Sequence, residues 1–306
     1  MAKILIATEK PFAAAAVNGI REVIESAGME MVLLEKYTEK AELLKAVADV
    51  EGLIIRSDKI DNEVFDAARN LKIVVRAGAG YDNVDLAAAT AHGVVVENTP
   101  GQNSNAVAEL VFGMAVMMAR NGYNGKSGSE LKGKKLGIHA FGQVGRNVAR
   151  IAKGFGMNVS ALDPYCPKEV IAEAGVEPLD DIKELYKGHE YVSLHIPATA
   201  ETRGSVGYDL VTLMPKGGVL INTARKEVID EEGLMKALRE RPDLKYVSDI
   251  RPDAADAMLE EFGERVFFTP KKMGAQTAEA NINAGLAAAR QVVAYLTDGT
   301  DRFRVN

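Results

Sequence analysis

The chain has 306 residues, 47% of them hydrophobic and 26% charged, which is enough for two domains with ordinary cores and excludes a fibrous or disordered polymer. With 43 acidic against 37 basic residues the net charge is −6, so non-specific binding to nucleic acid or to an anionic membrane starts at a disadvantage, although local basic clefts for small anions stay open. The single cysteine, Cys166, can form neither an intrachain disulfide nor a four-ligand zinc cage; no metal site is expected, and a reducing, cytoplasmic location is.

The amino terminus, MAKILIATEK, carries Lys3, Glu9 and Lys10 around an apolar run too brief for a signal-peptide core, and it reads as a first strand. β-Branched runs at 4–7, 31–34, 52–56, 72–76 and 94–96 alternate with runs of helical period at 12–26, 41–48, 62–68 and 84–91. Such alternation predicts a parallel sheet with helices on both faces. Asn98-Thr99-Pro100-Gly101 breaks the pattern and marks a hinge, and a helix follows over 104–120 with Met114, Met117 and Met118 on its buried face. After a polar loop at 121–135, in which Lys132, Lys134 and Lys135 read as solvated, alternation restarts at 136–141 and persists to Phe267-Phe268, giving a second doubly wound sheet. A last helical stretch, 277–296, leads into a tail expected to return to the first domain. The predicted domains are therefore 1–98 with 285–306, and 99–284. No segment offers the roughly 18 uncharged apolar residues that a membrane span needs, since Glu109 interrupts the apolar run at 106–119.

The segment LGIHAFGQVGRNVARIAKGFGMNVSALD, 136–163, reads strand, glycine turn, helix, strand, acid. Gly142 lets a backbone approach a pyrophosphate, Gly145 lets the helix pack on its strand, and the amides of the helix start, at Gln143 and Val144, face an anion. Ala140 stands where the fingerprint has its first glycine. Asp163, 18 residues beyond Gly145, suits the adenosine ribose hydroxyls and would repel a 2′-phosphate, which points to NAD rather than NADP.

Together with LIIRSDK (53–59), VVRAGAGYDNVDLAAAT (74–90), VVVENTPGQNSNAVAEL (94–110), SLHIPATAETRG (193–204) and INTARKEVID (221–230), this segment resembles the D-isomer-specific 2-hydroxyacid dehydrogenases over nearly the whole chain. The resemblance implies two Rossmann-like doubly wound α/β domains with an inter-domain active-site cleft, NAD as cofactor with His195, Pro197, Thr223, Ala224 and Asp249 around it, and a homodimer formed through the helix at 106–119. The loop at 121–135 is shorter than the family's arm near that dimer contact. The resemblance also implies that Arg225 faces a 2-oxo acid, and a guanidinium fork can indeed pair with a carboxylate and polarise a neighbouring carbonyl. Ala77, Gly78 and Ala79 resemble the family's carboxylate-binding loop. Arg56 and Arg76 each end a strand at the carboxyl edge of the first sheet; in members acting on 3-phospho-D-glycerate, arginines at matching places contact the phosphate, with Ser57 and Lys59 nearby. The expected reaction is oxidation of that phosphorylated 2-hydroxy acid, the first step of serine biosynthesis. The alternatives are reduction of glyoxylate, hydroxypyruvate or another small 2-oxo acid, and a catalytically silent NAD-sensing member. Because the sequence stops at Asn306, the regulatory domain appended in many members, and feedback through it, is not expected.

The departure lies at the acid. Family members carry a histidine after a Thr-Pro pair, held by an upstream glutamate. Here the sequence reads Thr269-Pro270-Lys271-Lys272-Met273-Gly274-Ala275, and of the four histidines, His92, His139, His189 and His195, none follows 195. Reduction of a 2-oxo acid still needs a proton donor. Lysine can serve if burial beside Arg225 lowers its pKa from about 10.4. Lys271 and Lys272 are both placed in that role, Lys272 slightly preferred because Gly274-Ala275 anchors it. Ala254 occupies the glutamate's place, leaving Asp253 or Asp256 as a shifted substitute.

Overall fold

The alternation read from the sequence persists through the computed structural model, which describes residues 1–306. Two compact units result: Met1–Asn103 with Thr277–Asn306, and Ser104–Gln276.

The first unit contains β1 (Lys3–Thr8), α1 (Ala14–Ser26), β2 (Glu30–Glu35), α2 (Lys40–Val47), β3 (Gly52–Ile55), α3 (Asn62–Ala67), β4 (Ile73–Arg76), α4 (Leu86–Ala91) and β5 (Val95–Asn98). The strands form one parallel sheet in the order β2-β1-β3-β4-β5. Every residue of β3 and β5 is buried; β3, Gly-Leu-Ile-Ile, reads as the continuous apolar run of a strand covered on both faces, whereas β5 buries Glu97 and Asn98 after its two valines.

The second unit runs α5 (Ser104–Ala119), β6 (Lys135–His139), α6 (Gln143–Gly154), β7 (Asn158–Leu162), α7 (Lys168–Glu173), β8 (Glu177–Pro178), α8 (Ile182–Lys187), β9 (Tyr191–Leu194), α9 (Tyr208–Val211), β10 (Val219–Asn222), α10 (Glu231–Glu240), β11 (Lys245–Ser248), α11 (Ala255–Phe262) and β12 (Val266–Phe268). Its seven strands are also all parallel, in the order β12-β11-β10-β9-β6-β7-β8. Met114 and Met118 lie buried in the core beneath α5 and Met117 packs at its margin, as their helical spacing predicts. In α6 the buried positions Gly145, Val148, Ala149 and Ala152 follow the same 3.6-residue period, while Arg146 and Arg150 face out.

α12 (Ala278–Asp298) belongs to the first unit. Thr277 caps it, its hydroxyl accepting from the Ala280 amide at 3.1 Å, and Gly299 in the left-handed region (φ 78°) ends it. Small residues let it lie close on α1: a Cβ on Gly285 would come within 2.9 Å of Ile20, and one on Gly19 within 2.8 Å of Leu286. The tail then seals the β5 edge. Val305 N–H donates to Val96 O at 2.9 Å, and the Asn306 carboxamide accepts from Val96 N–H at 2.8 Å and donates to Val94 O at 2.9 Å. The unit boundaries therefore fall at 103/104 and 276/277 rather than 98/99 and 284/285. Each linking helix is packed as a whole on one core, so the chain changes unit at a helix start and not within it.

Candidate active site

Parallel strands end at a common edge, and the residues following six of the seven strands of the second sheet stand there: Ala140, Asp163, His195, Thr223, Asp249 and Thr269. The order reverses between β6 and β9, which is where open α/β sheets take their ligands. A cavity of about 630 Å³ lies at the opposite edge, around Lys135, Asn158, Glu177 and His189. Its polar groups satisfy one another: Ser160 Oγ donates to Glu177 Oε2 at 3.0 Å and lies 2.9 Å from His189 Nε2, whose Nδ1 is 2.7 Å from Leu185 O.

At the glycine turn, Ala140 adopts φ +82°, the left-handed conformation for which the usual motif supplies glycine. Its carbonyl lies 2.3 Å from where a Cβ on Gly145 would stand, so only glycine permits this helix start. A Cβ on Gly142 would meet nothing within 4 Å, which leaves the approach to the turn open. The first intrahelical bond runs from Arg146 N–H to Gly142 O (3.0 Å); the amides of Gln143, Val144 and Gly145 precede it with no acceptor in the chain. Asp163 accepts from Phe141 N–H (2.8 Å) and Tyr165 N–H (2.9 Å), tying the turn to the end of β7. Thr223 Oγ1 is buried without a partner. Open amides at a helix start, a carboxylate at the next strand end and an orphaned buried hydroxyl fit a dinucleotide.

On β10 the Asn222 carboxamide braces the turn that presents Arg225. Its Oδ1 accepts from Ala224 N–H and its Nδ2 donates to Arg225 O, each at 2.9 Å. This leaves Ala224 O as a shared acceptor: Arg225 Nη1 lies 2.9 Å from it and Lys272 Nζ 3.5 Å. Lys272 is exposed as a whole residue, but desolvation about its ammonium group, followed by the Arg225 charge, holds its pKa below the ordinary lysine value; Asp249 and Glu227 pull the other way. Lys271 beside it is likewise exposed. The lysine turn is held from below by Asp249, fully buried, whose Oδ1 accepts from Met273 N–H (2.7 Å) and Thr269 Oγ1 (3.0 Å) and whose Oδ2 accepts from Gly274 N–H (2.7 Å).

The two acids named as possible substitutes for the glutamate lie on the surface. Asp253 pairs with Lys226 and Asp256 with Arg251 on the surface, so neither replaces the glutamate. The acids acting on Lys272 are Asp249 and Glu227, the latter overlooked although it stands two residues beyond Arg225. His195 Nε2 lies 3.0 Å from Ser193 Oγ, and burial, reinforced by His139, lowers its pKa to about 3. Burial likewise lowers the His139 pKa, to about 4, so both imidazoles are held in the neutral form. Pro197 is exposed on the loop after β9.

In the first unit, Arg56 and Arg76 end neighbouring strands but differ in what they hold. Arg56 is already engaged: Nη1 donates to Lys10 O and Pro11 O, both at 3.0 Å, Nη2 to Asn281 Oδ1 at 2.7 Å, and the guanidinium stacks 5.1 Å from the Phe12 ring centroid. Arg76 commits only Nε, to Arg56 O at 3.0 Å, and its fork lies against Gly78, where a Cβ would sit 1.4 Å from Nη1. Burial, then Arg56, lower the Arg76 pKa. The amides of Ala77 and Gly78 are also taken, donating to Ile55 O and Arg76 O at 2.8 Å each, which leaves that of Ala79. Ser57 and Lys59 are exposed.

The fold and this edge define a dinucleotide-binding α/β protein of the dehydrogenase type. Residues 106–270 match the model of the D-isomer specific 2-hydroxyacid dehydrogenase NAD binding domain. The chain belongs to that family. It is 48% identical to an NAD⁺-bound 3-phosphoglycerate dehydrogenase of Entamoeba histolytica, over all of this chain and 98% of that one, with a TM-score of 0.85. It is 38% identical to the D-3-phosphoglycerate dehydrogenase of Methanocaldococcus jannaschii over 83% of this chain and 51% of that protein. It is 34% identical to the hydroxypyruvate reductase of Thermotoga maritima over 86% of this chain and 90% of that enzyme. The chain spans about half the length of the first curated relatives it matches. No helix is long and apolar enough to cross a membrane.

Proposed function

We propose that this protein oxidises 3-phospho-D-glycerate to 3-phosphohydroxypyruvate with NAD, the step that opens serine biosynthesis, and that Lys272 takes the place of the family's histidine. The observation that carries the reading is the convergence of Arg225 Nη1 and Lys272 Nζ on the Ala224 carbonyl oxygen. Bound at the glycine turn, NAD supplies the hydride acceptor. Arg225 orients the substrate carboxylate and stabilises negative charge on the C2 oxygen, while neutral Lys272 takes the hydroxyl proton and, as the ammonium, returns it in reduction. Arg76, with its fork uncommitted, supplies the phosphate contact. The relatives from Entamoeba and Methanocaldococcus, named for this substrate, support the assignment.

Single-turnover reduction tests it. Lys272→Met is expected to slow the chemical step by about 10²–10⁴, the usual worth of a positioned acid, while Lys271→Met stays near wild type. A near-normal rate in Lys272→Met refutes the proposal. The full engagement of Arg56 favours one second reading, reduction of an unphosphorylated 2-oxo acid, since it leaves fewer cations for a phosphate; the Thermotoga relative carries such a name. Equal kcat/KM for phosphohydroxypyruvate and hydroxypyruvate would select it. The cytoplasmic homodimer expected from the resemblance completes the proposal, and light scattering of the purified protein checks the assembly.

A further inference from the structure

Asp249 touches Lys272 nowhere, yet it is the most heavily used carboxylate near it. It stands directly after β11, its own amide continuing the strand ladder to Asn222 O at 2.9 Å, so its backbone is fixed by the sheet. Its side chain is fully buried. Three donors converge on it: the Thr269 hydroxyl, the Met273 amide and the Gly274 amide. All three belong to the turn that carries Lys271 and Lys272, and two of them immediately follow Lys272. The Thr269 hydroxyl also lies 2.8 Å from Asp249 O, and Thr269 N–H donates to Ser248 O at 3.1 Å, so the turn is pinned at both ends to β11 and its carboxylate. Gly274 is required for the close approach: a Cβ there would stand 2.9 Å from Asp249 Oδ2 and 3.3 Å from Val107.

We infer that Asp249 is a positioning residue, whose carboxylate gathers the amides that follow Lys272 and thereby fixes the ammonium beside Arg225. The inference rests on the proposed role of Lys272 and gives Asp249 a task distinct from contact with the cofactor. A carboxylate has about four lone-pair sites, and three are filled by the turn. Buried hydrogen bonds from N–H to an ionised acceptor are among the strongest available, and they suit a turn whose own sequence, Pro-Lys-Lys-Met-Gly, has no regular structure to hold it. A turn left loose would let the ammonium drift, and misplacement by about 1 Å can cost 10²-fold in rate. Lys272 is the residue directly before the two clamped amides, and it is Lys272 Nζ that lies 3.5 Å from Ala224 O.

The test uses the whole chain and two readouts. In Asp249→Asn, hydrogen exchange of the peptide spanning 269–276 should quicken at least tenfold, and kcat should fall 10- to 100-fold with KM for NADH changed less than twofold. Should that variant fold poorly, Thr269→Val, which removes one donor at constant shape, should give a smaller loss of kcat that Thr269→Ser restores. Unchanged exchange in Asp249→Asn, or a rise in KM for NADH with kcat intact, overturns the inference. Lys272→Met assayed in parallel separates the two claims: full activity there removes the lysine reading, while exchange of the 269–276 peptide still judges the clamp.

Discussion

Replacing Ala140 by glycine offers the sharpest check on the dinucleotide turn. Ala140 holds φ +82°, and a non-glycine residue in such a conformation costs about 1–2 kcal/mol. Glycine removes that strain but adds freedom to the unfolded chain, a loss of about 0.4–1 kcal/mol. The net expectation is a second unit stabilised by about 0.5–1 kcal/mol, or a rise of about 1–4 °C in its melting temperature. Urea unfolding followed by circular dichroism, with and without NAD, reads it directly. The strain must be held by the surroundings, and two contacts do so: Ala140 N–H donates to Leu162 O at 2.9 Å, and Asp163 Oδ2 accepts from the next amide at 2.8 Å. Ala140→Val, β-branched, should lose at least as much as glycine gains. If Ala140→Gly lowers the midpoint, or valine is tolerated as well as alanine, the strained-turn argument is wrong.

Arg56→Ala should destabilise the protein by about 2–4 kcal/mol in urea melts, because it strips three acceptors of a charged donor, whereas Arg76→Ala should leave the midpoint within about 0.5 kcal/mol and raise KM for the phosphorylated substrate more than tenfold. Burial holds the Glu97 carboxyl above its ordinary pKa, with Oε1 accepting from Phe303 N–H and Oε2 unpartnered. Such a group contributes most at acid pH, and its contribution is lost as pH climbs from the usual glutamate range through the raised value. Glu97→Gln should therefore abolish that slope and be the more stable form at pH 8, as paired melts at pH 4.5 and 8 will show. For Lys272, oxidation requires the neutral amine, so kcat for oxidation should rise with pH through an apparent pKa below the ordinary lysine value while reduction falls. Removing the opposing charge in Glu227→Gln should shift that limb to lower pH, and an unmoved limb would exclude Lys272 as its source.

Much of this was legible in the sequence because it depends on local chemistry. β-Branched runs alternating with helical periods dictate two parallel sheets, and Gly142, Gly145 and Asp163 fall at spacings that a strand, turn, helix and strand convert directly into positions. Thr223, Arg225 and Asp249 were named from the family resemblance, and parallel strands, which deliver their following residues to one edge, give the physical reason they stand together there. Side-chain commitments are another matter. Arg56, one residue past β3, and Arg76, the last residue of β4, stand at neighbouring strand ends, yet one is consumed by carbonyls at 10 and 11 and a carboxamide at 281, partners that no spacing reveals. Lys271 and Lys272 are adjacent and chemically identical. Which of them meets Arg225 depends on where a buried carboxylate twenty-odd residues upstream catches the backbone, and only packing of the folded chain decides that.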